Sequence, residues 1–119
     1  MSVIVTSLVA LTGCSGARSG PETVTRKEPI TRPVSVSGGD RTLTVMVESG
    51  GCDMTPRLEA SESTTTVALT VRIATRTGPD IACPASALFG PARVVLHTAL
   101  GSRTVTDATS GRALPVRGR

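Results

Sequence analysis

The feature that most constrains the fold is an alternation of large apolar residues with small or polar ones along one twelve-residue stretch, residues 65–76. The apolar positions share one parity: Val67, Leu69, Val71 and Ile73. Successive side chains of a β-strand point to opposite faces, so this spacing predicts a strand with one buried face and one face in water. A helix would scatter the same residues around its circumference. We therefore predict an all-β protein.

Shorter alternating segments at residues 42–48, 57–62, 92–97, 103–107 and 113–116 are separated by turn residues. The tight connection Ser63-Thr64-Thr65 predicts an antiparallel hairpin between residues 57–62 and 65–75. Several short strands at this spacing favour a small antiparallel sandwich or an open barrel with an immunoglobulin-like arrangement. The abundance of Val and Thr agrees with strands rather than helices.

The N-terminal residues 2–13 are uncharged and largely apolar, and they end in Gly13 directly before Cys14. The run is shorter than the roughly 20 residues of a membrane-spanning helix, so a removable secretory signal at residues 1–13 fits better. The alternative is an apolar N-terminal strand that buries Cys14 as a free thiol.

The residues Leu11-Thr12-Gly13-Cys14 resemble the lipobox of bacterial lipoproteins. The resemblance implies that the signal is cut before Cys14, that its thiol carries a diacylglyceryl group, and that Cys14 becomes the new N-terminus. It also implies a lipid anchor in the cell membrane, with the protein on the extracytoplasmic face.

Residues 14–38 contain Pro21, Pro29 and Pro33 among Gly, Ser and charged residues, without a sustained hydrophobic period. This composition predicts a flexible linker that follows the lipidated cysteine. The β-domain is then expected to cover residues 39–116, and residues 117–119 to form a tail.

Two cysteines remain once Cys14 is assigned to lipid. Exported proteins meet an oxidising environment, so we predict a disulfide between Cys52 and Cys83 rather than two buried free thiols. Closing a loop of about 30 residues stabilises a small domain by roughly 3 to 4 kcal/mol in the chain-entropy model. Two cysteines and one histidine supply too few ligands for a closed zinc site, and we expect neither a metal nor a cofactor.

The formal net charge is +4, and twelve of the thirteen basic residues are arginines. They are spread along the chain together with the acidic residues, so the sequence predicts no basic patch. Phe89 is the only aromatic residue, whereas proteins that bind single-stranded nucleic acid need several aromatic platforms. We therefore expect no nucleic-acid partner.

Residues 96–111 resemble a segment of small exported actinobacterial β-domain lipoproteins, with the form Leu-Gly-x-Arg-x-Val-x-Asp before a Thr/Ser-Gly turn. The resemblance implies no particular activity. Arg103 and Asp107 share a parity on one predicted strand. They fit a surface ion pair, an aspartate that caps the turn at residues 109–111, or an arginine that binds a ligand.

His97 is the only histidine, and it alternates with Val95 and Arg93 on the predicted solvent face. A general base needs an orienting partner and a nucleophile, and the chain carries no Gly-x-Ser-x-Gly elbow and no His-Glu-x-x-His motif. We expect no enzyme but a protein-binding or adaptor module of the cell envelope, whose partner is an envelope protein. The alternatives are a small envelope hydrolase that uses His97, and a structural envelope component.

Residues 77–91 form the longest predicted loop, in which Leu88 and Phe89 offer apolar side chains. Two interpretations stay open. Leu88 and Phe89 are candidate contacts for a partner, or they plug the open end of the sandwich, where Cys83 pins them.

Overall fold

The computed structural model describes residues 22–118, which form eight β-strands in two sheets and no helix. The strands are β1 (Glu22–Glu28), β2 (Val34–Ser37), β3 (Thr42–Ser49), β4 (Arg57–Glu62), β5 (Thr66–Thr77), β6 (Leu88–Val95), β7 (Thr104–Asp107) and β8 (Val116–Arg117). The sheets are mostly antiparallel and are not closed into a barrel. The all-β prediction is confirmed, and of the two expected architectures the protein adopts the sandwich.

One sheet, here called the β5 sheet, is built around the longest strand. β4 pairs antiparallel with β5 along one edge and forms the predicted hairpin, with Glu62 opposite Val67. The other edge is shared, because β7 pairs parallel with the first half of β5 and β1 pairs antiparallel with the second half. The β3 sheet has the order β6, β3, β2, β8.

The core lies between the two sheets and follows from the alternation in the sequence. The four predicted side chains of β5 are at most 1% exposed, and alternate positions of β2 and β3 pack with them. The connection between β6 and β7 adds Leu96 and Leu100, which are also buried. Apolar burial of this kind is the main term that holds a small sandwich together.

The predicted linker is wrong over residues 22–38, because these residues contain β1 and β2. Val34, Val36 and Ile30 are buried, and β2 pairs with both β3 and β8. The Gly38-Gly39-Asp40 stretch is a hairpin turn with three positive φ angles of 60 to 69° rather than a domain boundary. The domain thus includes residues before 39, and Arg117 belongs to β8 rather than to a tail.

The predicted disulfide is confirmed, since Cys52 and Cys83 are bonded with their Cα atoms 5.1 Å apart. Cys52 lies in the connection that leaves β3, and Cys83 lies in the connection that leaves β5. The bond therefore joins loops that leave the two different sheets.

Residues 1–21 and Arg119 lie outside the described part of the chain, and so do the predicted signal and the proposed lipidation at Cys14. Within residues 22–118 no helix is long and apolar enough to cross a membrane.

Candidate functional site

Leu88 and Phe89 begin β6, and their side chains are 62% and 48% exposed. The interpretation that they plug the end of the sandwich is therefore wrong. β6 starts at Leu88, within residues 77–91, for which the sequence predicts a loop, and Phe89 pairs opposite Glu48 on the outer face of the β3 sheet. Side-chain parity turns the ring away from the core.

Phe89 stands between two depressions. One depression, of about 240 Å³, is also lined by Met46 and Ile30, and the other, of about 340 Å³, is also lined by Leu88 and Met54. We call the exposed residues Met46, Met54, Leu88 and Phe89 the Phe89 surface. The only aromatic ring of the chain thus lies among exposed apolar side chains: Met46 shares its face of the β3 sheet, whereas Leu88, opposite Ser49, has the other parity of β6.

Arg32 covers part of this surface. Its guanidinium carbon lies 4.1 Å from the centroid of the Phe89 ring, in a cation–π contact. Such a contact is worth about 0.5 to 1 kcal/mol at an exposed site and favours one position of the ring. Arg32 belongs to the connection between β1 and β2, which sequence reasoning assigned to a linker, so no sequence signal paired these two residues.

His97 lies on the solvent side as predicted, with a side chain that is 95% exposed. Its Nε2 is 4.0 Å from Oε2 of Glu62, and its backbone N–H donates to the same oxygen at 2.9 Å. That backbone donor and the guanidinium of Arg103 lower the pKa of Glu62. None of the hydrogen bonds described for residues 22–118 joins the His97 side chain to a serine or threonine hydroxyl.

Arg103 is a clamp within the fold. Its guanidinium donates to Oε1 of Glu62 at 3.1 Å and to the backbone oxygens of Ser63, Thr98, Ala99 and Leu100. These bonds tie the β4–β5 turn to the β6–β7 connection. The ion pair with Asp107, one of the alternatives left open by the sequence, is not formed, because Arg103 pairs with Glu62 instead.

Asp107 is completely buried and caps the turn that follows β7. Its carboxylate accepts the backbone N–H of Thr109 at 3.3 Å, and the N–H and hydroxyl of Ser110 at 3.1 and 2.7 Å. Of the roles left open by the sequence, the structure shows the aspartate that caps the turn. Short polar side chains that accept from the backbone two and three residues ahead are typical of such turns.

A third polar cluster fastens β1 to the sandwich. Two guanidinium nitrogens of Arg26 donate to the two carboxylate oxygens of Asp53 at 3.0 Å, and Thr75 donates to the same carboxylate. These donors and the N–H of Gly50 hold the pKa of Asp53 far below its usual range. The cluster escaped sequence reasoning because Arg26 was assigned to a linker.

The outer face of the β5 sheet carries a basic patch that the sequence did not predict. The pairing register sets Lys27, Arg72 and Arg57 side by side across β1, β5 and β4, and Arg76 follows on the same face of β5. We call these four residues the basic face. The expectation that no basic patch exists is wrong, because Lys27 and Arg57 are thirty residues apart in sequence and only the register brings them together.

Comparison of the chain with protein-family models, curated proteins and solved structures gave no significant match. Within the described range, no group of three His, Cys, Asp or Glu side chains is placed to hold a metal ion.

Proposed function

We propose that this protein is a lipid-anchored lipoprotein of the cell envelope that binds an envelope protein through the Phe89 surface and catalyses no reaction. The observation that carries the proposal is the placement of the only aromatic ring on the outer face of the β3 sheet, where it lines one depression with Met46 and another with Leu88 and Met54, all of them exposed. Aromatic and arginine side chains are enriched among residues that dominate binding energy. Apolar clusters exposed on a small domain are typical of interaction sites.

The anchor and the location rest on the N-terminal sequence. Leu11-Thr12-Gly13-Cys14 resembles a lipobox, and the Cys52–Cys83 bond is typical of proteins that leave the cytoplasm. Both features support a place on the extracytoplasmic face of the cell membrane. Replacing Cys14 by Ser should abolish acylation and release the protein from membranes or leave the signal uncut. Recovery of the wild type as a soluble chain with residues 1–13 attached would contradict the anchor.

The shape of the Phe89 surface favours a protein over a small ligand. A half-exposed ring between two depressions offers a partner one aromatic contact and two recesses, whereas small-molecule sites usually enclose most of the ligand. The rigid strand and the Arg32 contact reduce the conformational entropy that binding costs.

The test is a photo-crosslinking amino acid placed at position 89 in growing cells, with position 95 as the matched control. Val95 lies on the same face of β6 and is 64% exposed. We expect crosslinking from position 89 to capture one discrete protein, and crosslinking from position 95 not to capture it. When this partner is purified, it should bind the wild type and should no longer bind the Phe89→Ala variant. Identical products at both positions, or none at position 89, would contradict the proposal.

The alternative of a small envelope hydrolase that uses His97 draws support only from the proximity of Glu62. A structural envelope component would differ from an adaptor in forming a stoichiometric assembly with its partner.

A further inference from the structure

The basic face differs in charge from the rest of the molecule. Among the strand positions described on this outer face, the four cations meet a single carboxylate, Glu59. The other positions hold small neutral residues: Thr23, Thr25, Ser61, Thr66, Ala68, Thr70, Ala74, Thr104 and Thr106. Small side chains leave the long cationic ones standing above a low surface.

The arrangement of the cations is unfavourable for the isolated sheet. Arg57 is directly opposite Arg72, and Lys27 is opposite Arg72 on the other side. Like charges at directly opposed positions destabilise strand pairing. Glu59 offsets one of them, since its Oε2 lies 2.9 Å from Nε of Arg72. No salt bridge is described for Lys27, Arg57 or Arg76 within residues 22–118. An anionic surface laid against this face would offset the remaining repulsion.

The chain that leads to Cys14 leaves from the edge of the same sheet. β1 begins at Glu22, and only residues 15–21 separate it from Cys14. Eight Cα-to-Cα steps span at most about 29 Å even when fully extended. A diacylglyceryl group on Cys14 would therefore hold the β5 sheet close to the lipid headgroups.

We propose that the basic face lies against anionic lipid headgroups and orients the sandwich on the membrane. This inference rests on the proposed lipid anchor, to which the basic face adds a second, electrostatic attachment. The guanidinium groups would bind headgroup phosphates. In this orientation the outer face of the β3 sheet, with Phe89 and Met46 of the Phe89 surface, points away from the bilayer and towards a partner.

The test measures vesicle binding of the full chain with Cys14→Ser, which cannot be acylated. Vesicles of phosphatidylcholine are compared with vesicles that also contain phosphatidylglycerol. One variant carries Lys27→Gln, Arg57→Gln and Arg76→Gln, and the matched control carries Arg93→Gln, Arg112→Gln and Arg117→Gln. Both lose three exposed positive charges, and only the first loses them from the basic face.

We expect the parent chain to prefer phosphatidylglycerol vesicles at low salt and to lose the preference at high salt. The basic-face variant should lose a preference on the order of 10²-fold, at about fivefold for each cation, while the control keeps most of it. Equal losses in both variants would attribute binding to net charge and overturn the inference, as would a parent chain without preference. Binding to soluble polyphosphate alone would overturn it as well. If the wild type carries no acyl group but still prefers phosphatidylglycerol vesicles, the proposed lipid anchor is contradicted, whereas the inference that the basic face binds lipid stands.

Discussion

The two sheets are alike on their inner faces and differ on their outer faces. Inside, both present alternating Val and Leu side chains to one core. Outside, the β5 sheet presents four cations above small residues, whereas the β3 sheet presents the exposed apolar side chains of Phe89, Met46 and Val95 together with Glu48, Arg93 and Arg117. The inner faces are fixed by the requirement to bury apolar area, and that requirement does not act on the outer faces. The two proposals rest on this contrast: one outer face is proposed to bind lipid and the other to bind a protein.

The largest effect should come from breaking the covalent link between the sheets. Cys52→Ala together with Cys83→Ala opens a loop of 31 residues and should lower the free energy of unfolding by about 3 to 4 kcal/mol. Chemical denaturation of the wild type and the double variant measures the difference. The wild type under reducing conditions is the control and should fall to the same value. A loss below about 1 kcal/mol would show that packing alone keeps the two faces back to back.

The second largest effect is expected from the polar cluster of Arg26, Asp53 and Thr75, and it tests whether this cluster holds β1, the strand that carries Lys27. Asp53→Asn removes the negative charge that pairs with the Arg26 guanidinium, and the side chain of Asp53 is only 6% exposed. We expect a loss of about 1 to 3 kcal/mol and faster hydrogen exchange of the β1 amides. Asp80→Asn, an exposed acid in the neighbouring loop, should change neither. Unchanged exchange in β1 would show that backbone pairing with β5 suffices.

The same cluster makes stability depend on pH with a definite sign. The pKa of Asp53 is lower in the folded protein than in the unfolded chain, so the unfolded chain takes up the proton first as the pH falls. The stabilisation is present in full above about pH 5, and it is lost as the pH falls below the ordinary carboxyl pKa of about 3.9. Stability curves of the wild type and Asp53→Asn should therefore converge in acid. A constant gap down to low pH would contradict the role given to the Arg26 pair.

A smaller effect should come from the β3 sheet, and it separates a surface ring from a core ring. Phe89→Ala should cost less than about 1 kcal/mol, whereas truncation of a buried phenylalanine costs about 3 to 5 kcal/mol. Leu69→Ala, in the core, provides the comparison and should cost about 2 to 5 kcal/mol. Thermal unfolding measures both. A loss as large as that of Leu69→Ala would place the ring in the core and remove the Phe89 surface.

The predictable part of the fold was the part in which burial leaves a pattern in the sequence. Three such features depend on residues close in sequence: the alternation in β5, its hairpin with β4 and the cap by Asp107. The Cys52–Cys83 pair follows from counting the cysteines that remain once Cys14 is assigned to lipid. β1 was missed because none of its side chains is fully buried, so it shows no hydrophobic period. Its pairing uses backbone groups, which every sequence shares.

The two outer faces were missed for a related reason. Both faces depend on residues that are far apart in sequence. On one face Arg32 contacts Phe89, and on the other Lys27, Arg72 and Arg57 form a row. A shift of the register by one residue would move each cation to the opposite face of its strand. Such surfaces can be inferred only after the pairing is known, because solvent-exposed side chains put little constraint on the sequence pattern.

The smallest effect on stability and binding is expected from substitution of His97, which belongs neither to the Phe89 surface nor to the basic face. Glu62 is held by the backbone N–H of His97 and by Arg103, and both bonds survive removal of the imidazole. His97→Ala should therefore leave the melting temperature, the crosslink at position 89 and the vesicle preference unchanged, because exposed side chains contribute within about 0.5 kcal/mol. Arg103→Ala is the contrasting variant, since it strips donors from Glu62 and from four backbone oxygens, and it should destabilise the protein. Loss of an envelope hydrolase activity in His97→Ala, with stability intact, would replace the adaptor by the hydrolase. The two outer faces would then serve to position an active site at the β6–β7 connection.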